Sequence, residues 1–305
     1  MRVFVTGASG FIGGVLCRQL LEAHHEVHAL VRRPGSEPAG TVPVNGDIND
    51  GARLRELLAA TRPDCVVHLA AEIASQRSEQ RLTQVNVDGT QHLIAACMSA
   101  AGEPDARPRV VFASTVVTGD AHGRLLTEDE PLPVETPYGR AKQEGERLLL
   151  DSGLNVSIIR PSHVYGPGGW YANELLPRLR GPGRLAVVGG GENLWDVVHV
   201  EDVAAALVLA ASAPAGSVYH VADDEPITYY DFMALSAAAL GVGAPRRIPA
   251  ALARIIAGRN AVDALVRSAR SSNAKIKREL GWRPRYTTAS DGVPAVVRAL
   301  SASPA

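Results

Sequence analysis

Val3-Phe4-Val5-Thr6-Gly7-Ala8-Ser9-Gly10-Phe11-Ile12-Gly13 decides the fold. A short β-branched and aromatic run meets three glycines spaced three apart, and an apolar-periodic helix carrying Val15, Leu16, Leu20 and Leu21 begins inside the turn. This is the pattern of a dinucleotide seat. Gly7 allows a tight turn, Gly10 lets the backbone approach a pyrophosphate, and Gly13 lets helix and strand pack closely. The phosphates would rest on the unpaired N–H groups and positive dipole end of the helix. No Gly-Lys-Ser/Thr follows, which excludes a Walker-type loop.

Working outward, β-branched runs alternate with helix-periodic stretches, the pattern of an α/β fold with a doubly wound parallel sheet covered on both faces. Strands are expected at Glu26–Val31, Val42–Asn45, Cys65–Leu69, Arg109–Ala113, Val156–Arg160 and Val218–Val221. Helices are expected at Gly13–Ala23, at Asp50–Ala60 behind an Asn49 cap, and at Val85–Ala100, Pro137–Leu150 and Val203–Ala211. The 305 residues are 46% hydrophobic with a net charge of −1, which suits a large core but offers no basic footprint for nucleic acid or a membrane surface. Cys17, Cys65 and Cys97 stand singly without zinc-type spacing and read as buried free thiols of a reducing compartment. With Met1-Arg2-Val3 running directly into the first strand and no bilayer-length apolar run, the expectation is a soluble cytoplasmic protein.

Residues with chemistry fall at strand ends. Val31 stands where an acidic residue would accept from the adenosine ribose, and Arg32 and Arg33 follow it. Guanidinium groups match a 2′-phosphate, so NADP(H) is favoured, with NAD(H) as the alternative and a solvated arginine pair as the plainer reading. Asp47 sits after the third strand, where it accepts from an adenine amino group or caps the next helix. Ala70 and Ala71 are small enough for the backbone to lie against the cofactor, and His68 reads as a satisfied core histidine. Ser114 and Thr115 bring hydroxyls to the end of the fifth strand. Tyr138 and Lys142, four apart, share one helix face, where an ammonium would lower the tyrosine pKa for acid-base work.

Taken together, the motifs resemble the extended short-chain dehydrogenase/reductase superfamily, of the NAD(P)-dependent epimerase/dehydratase type. The glycine turn, Gly46-Asp47, His68-Leu69-Ala70-Ala71, Asn86-Val87-Asp88-Gly89-Thr90, Ser114, Tyr138 with Lys142, the run from Arg160 to Pro167 and the run from Asp196 to Asp202 carry the likeness. It implies that Tyr138 is the acid-base residue, that Lys142 holds the nicotinamide ribose, that Ser114 orients the substrate oxygen and that Asn86 serves the cofactor site. It also implies cofactor contacts at Phe11, Ile12, Ile48, Leu69, Pro161 and Val164. A homodimer and a discontinuous second lobe follow from the same likeness. The expected dinucleotide-binding domain is 1–165 with about 197–225, and the substrate lobe about 166–196 with 226–305.

Departures from the family pattern bear on the reaction. Its nucleotide-sugar dehydratases carry an Asp-Glu pair where this chain has Thr115 and Val116. Its sugar-nucleotide members tend to have asparagine at the place of His163 and arginine at that of Trp195. With Trp170 and Tyr171 nearby in sequence, these replacements suggest a less anionic, mostly apolar small-molecule substrate. The reading is an NADP(H)-dependent carbonyl/alcohol oxidoreductase. A sugar-nucleotide epimerase and a non-enzymatic NADP sensor are the alternatives, and no metal is expected.

Overall fold

A computed structural model describes residues 1–73, 78–100, 106–181, 185–257 and 266–302. Seven strands, β1 (Arg2–Thr6), β2 (Glu26–Val31), β3 (Val42–Asn45), β4 (Cys65–His68), β5 (Arg109–Ala113), β6 (Val156–Pro161) and β7 (Ser217–Val221), form one sheet in the order β7-β6-β5-β4-β1-β2-β3. Every pairing in it is parallel. The order reverses between β1 and β4, which opens a crevice at their C-terminal ends, the usual seat of a ligand in open α/β sheets.

Alternation along each strand builds two cores. Val3 and Val5 of β1, Cys65 and Val67 of β4, and Val111 and Ala113 of β5 enter one cluster, covered by α1 (Phe11–Glu22) and a helix at Val200–Ala210. Phe4, Val66, Val110 and Phe112 point the other way, toward α2 (Gly51–Thr61), α3 (Gly89–Ser99) and α4 (Pro137–Leu150). Strands buried on both faces read as continuous apolar runs, which is why the sheet was legible.

Two local expectations are corrected. α2 is capped by Asp50, whose side chain accepts from the Arg53 N–H at 2.9 Å, while Asn49 bonds back to the Asp47 carboxylate. The single helix expected over Val85–Ala100 is broken by a π-helical turn at Gln84–Asp88, with a short helix Glu79–Thr83 before it and α3 after it. That extra residue per turn sits where α4 approaches closely: a Cβ on Gly145 would lie 3.4 Å from the Asn86 carbonyl oxygen.

A further core packs Tyr165, Tyr171, Phe232 and Val293 with helices Tyr229–Ala239 and Ala289–Ala302. Part of the stretch expected in the substrate lobe packs elsewhere. Ile276 and Trp282 enter the β1 core, and the Trp282 indole donates to the Asp202 carbonyl oxygen at 3.0 Å, so the stretch around 274–282 belongs to the large sheet by packing.

Candidate active site

The glycine turn is shaped by contacts that no side chain would tolerate. Gly7 has φ of 71°, and a Cβ there would lie 2.7 Å from the Ala70 nitrogen, so the turn lies directly on the chain leaving β4. A Cβ on Gly13 would overlap the Gly7 carbonyl oxygen. α1 then opens after its N-cap Gly10 with no side-chain cap, which leaves its first N–H groups for an anion. The ring of Phe11 turns away from the turn and under the loop at Gly168 and Gly169, where only glycines clear it; its backbone N–H remains at the helix end.

A buried relay ties β1 to β4 beneath this turn. The Thr90 hydroxyl donates to the Asn86 carbonyl at 2.8 Å and therefore accepts from His68 Nε2 at 3.1 Å. His68 Nδ1 then accepts from the Thr6 hydroxyl at 2.7 Å, and Thr6 Oγ1 accepts the Leu69 and Ala70 N–H groups. Burial, with Lys142 nearby, holds the imidazole down to about 3, so it stays neutral. His68 is thus the satisfied core histidine expected. Asn86 clamps the next step, its amide accepting from the Glu72 N–H and donating to the Glu72 carbonyl at 2.8 and 2.9 Å. Ala71 lies between these two anchors.

At the far end of β2, Arg32 and Arg33 are exposed and make no ion pair among the described residues. The Asp47 carboxylate accepts from the Asn49 backbone and side chain through one oxygen, and Ile48 is buried against Gly89.

The Ser114 hydroxyl at the end of β5 is buried and has no partner among the described residues, and Ser162, past the end of β6, is in the same state. An orphan hydroxyl costs stability unless a ligand satisfies it, so Ser114 is ready to meet a ligand oxygen. Thr115 differs: its hydroxyl donates to the Pro161 carbonyl at 3.2 Å and accepts from the Val117 N–H, so it is committed to shaping the loop.

Tyr138 and Lys142 lie on the first turns of α4, which Thr136 caps and Pro137 opens. Lys142 is 3% exposed with its ammonium 4.0 Å from the centre of the Phe112 ring. Burial pushes it down to about 7, opposed by Glu146, whose carboxylate is held bidentately by Arg160 at 2.6 and 3.0 Å. Burial also pushes the Tyr138 phenol up to about 12. The lowered phenol expected from sequence is corrected, because desolvation by burial raises it in the free protein.

Between the lobes, Trp195 stacks on His163 with centroids 4.3 Å apart and planes 24° apart, and Trp170 meets Trp195 edge-on at 5.9 Å. The Trp170 indole donates to the Val164 carbonyl at 2.8 Å. Tyr171 is fully buried, with its hydroxyl 2.9 Å from that of Ser236, and belongs to the lobe's core rather than to a ligand surface. Sequence reasoning missed Thr6, Thr90, Ser162 and Glu146. The Glu146 position, four residues past Lys142 on the same helix face, was the one available signal.

A model of the NAD dependent epimerase/dehydratase family matches residues 3–222, which take in the turn, the relay, Ser114, Tyr138 and Lys142. The chain belongs to this family. It is an NAD(P)-dependent enzyme of the extended short-chain dehydrogenase/reductase type. Among curated family relatives, a 3-diazoavenalumate denitrifying reductase from a Streptomyces species is 32% identical over 96% of this chain and 99% of its own length. A 2-alkyl-3-oxoalkanoate reductase of Stenotrophomonas maltophilia is 33% identical over 81% of this chain and 77% of its own. The fold is shared with a UDP-glucose 4-epimerase of Thermus thermophilus solved with NAD, at 26% identity, full coverage of both chains and a TM-score of 0.82. The family's nicotinamide cofactor fits here on two counts, the uncapped end of α1 and the side-chain-free glycine turn laid against Ala70. Among the described residues no cluster of side chains is arranged to hold a metal ion, and no helix is long and apolar enough to cross a membrane.

Proposed function

We propose that the protein is an NADP(H)-dependent reductase that converts a carbonyl of a mostly apolar metabolite to an alcohol. The observation that carries this is the buried Ser114 hydroxyl at the end of β5, which has no partner among the described residues and is left to donate to a substrate oxygen, while Tyr138, raised by burial, holds the proton that a reduction consumes. The cofactor supplies the hydride when bound. Residues 7–13 would hold its pyrophosphate, with Leu69 to Ala71, Pro161 and Val164 lying along it, and Lys142 its ribose hydroxyls. Ser114 donates to the substrate oxygen, Tyr138 protonates that oxygen, and the Lys142 charge then lessens the cost of the phenolate left behind. The two reductase relatives support net reduction. Mixing the protein with NADPH and a panel of apolar ketones should consume reduced cofactor mole for mole with alcohol formed. Conversion of a nucleotide sugar without any net change in nicotinamide absorbance would instead establish the epimerase reading, which the likeness to the Thermus enzyme supports.

The choice of NADP(H) over NAD(H) rests on Val31 and the unpaired Arg32 and Arg33. Arg32→Ala should remove most of the preference, about 1.5 to 3 kcal/mol for a lost charged hydrogen bond, with little effect on NADH. Equal dissociation constants for NADPH and NADH in the parent protein would refute it. The same reading describes a soluble cytoplasmic homodimer, formed through helices of the large sheet, which sedimentation velocity tests through its mass.

A further inference from the structure

His163 is half-buried in the strand His163–Tyr165, which pairs in parallel with Val197–His199, and Trp195 comes from a two-residue strand of the other lobe. Both the backbone N–H and Nδ1 of His163 face one acceptor, the Asp196 carbonyl oxygen, at 3.2 and 2.9 Å. A carbonyl only accepts, so Nδ1 must carry the ring proton. Burial holds the imidazole down to about 4, against the Asp196 contact that raises it, so no second proton is present at neutral pH. Nε2 on the opposite edge is therefore a bare lone pair. It has no partner among the described residues, and the residue that carries it is half-buried rather than fully enclosed. The stack on Trp195 fixes the ring plane, which aims that lone pair.

We propose that His163 is a specificity-determining residue that selects, through Nε2, a flat apolar carbonyl compound bearing a hydroxyl or N–H donor remote from the reacting carbonyl. This rests on the reductase reading for the carbonyl and stands on the imidazole geometry for the donor. A phosphate group offers only acceptor oxygens at neutral pH and would set them against the lone pair, and the hydroxyls of a sugar nucleotide, though they donate, bring no flat apolar body to the indoles. A hydroxyl donates to it, while the apolar body of the same molecule covers the half-exposed Trp195 and Trp170.

The test is calorimetric titration of the protein, saturated with NADP⁺, with 6-hydroxy-2-tetralone, 6-methoxy-2-tetralone and UDP-glucose. The hydroxy compound should bind roughly five- to ten-fold more tightly than the methoxy compound, the worth of one neutral hydrogen bond, and more tightly than UDP-glucose. His163→Leu should erase the difference between the two tetralones. His163→Gln, which keeps an acceptor oxygen, should restore part of it, with thermal midpoints reporting that both variants fold. Equal affinity for the two tetralones in the parent protein, binding of neither, tighter binding of UDP-glucose, or a preference that survives His163→Leu each overturns the proposal. NADPH consumption is followed separately. A hydroxyl preference without reduction leaves the His163 assignment standing and removes the reductase reading.

Discussion

Tyr138→Phe should lower turnover by about 10² or more while leaving cofactor affinity and the thermal midpoint close to those of the parent protein. The substitution removes one oxygen and keeps the ring, so the packing at the start of α4 survives. What is lost is a proton donor whose burial keeps it protonated across the physiological range. Stopped-flow measurement of NADPH oxidation in a single turnover isolates the affected step from product release. Unchanged single-turnover rates would take Tyr138 out of the chemistry and leave Ser114 as the remaining donor. Lys142→Met makes the complementary case, since a buried ammonium serves both ribose binding and the phenolate. It should therefore weaken NADPH binding and slow the step together.

The second large effect concerns Asp223, which follows β7 at the junction of the lobes. Its carboxylate is 5% exposed, neither oxygen has a partner among the described residues, and Asp202, Asp224, Asp196 and Asp291 surround it. Burial first, and then those four carboxylates, push it up to about 9. The sign follows from proton counting. Above the ordinary carboxylate pKa the unfolded chain has released this proton while the folded chain still holds it, so stability falls as pH rises from about 4 toward 9. Asp223→Asn removes the penalty. It should stabilise the protein on the order of 3 kcal/mol at pH 7, more at pH 8.5 and little at pH 4.5, read from chemical denaturation at each pH. A pH-independent effect, or a loss of stability at pH 8, would show that the carboxylate is paired and charged in the folded protein.

Why Asp223 escaped the sequence reading, and Tyr138 did not, is a matter of what a linear pattern encodes. The parallel sheet was legible because Val3-Phe4-Val5 and Val110-Val111-Phe112 are buried on both faces and so run unbroken. Ser114 and Asp47 were legible as candidates because strand ends fix position whatever the loops do. Asp223 lies in Asp-Asp-Glu, a run indistinguishable from a solvated turn until two lobes close over it. Thr115 and Tyr171 misled for a related reason. A hydroxyl beside a catalytic one, or an aromatic in a glycine-rich segment, does not announce whether it faces a ligand or a carbonyl behind it. The π-helical turn at Gln84–Asp88 spans too few residues for 3.6 and 4.4 periods to differ, and the two-residue strands of the second lobe pair with segments too distant in sequence to be matched by eye.

Trp282, packed into the core on one face of the sheet and bonded to the Asp202 carbonyl, sets a schedule for synthesis on the ribosome. The sheet strands are all made by residue 221, yet the hydrophobic interior on one of its faces is closed by Ile276 and Trp282, near the C-terminal end. The nascent sheet must wait, with apolar surface open, until residue 282 has left the exit tunnel. Closure of that face therefore lags the early formation of local βα units, and a fragment cut after residue 222 should behave as a sticky, incompletely closed intermediate rather than as a free-standing nucleotide-binding module.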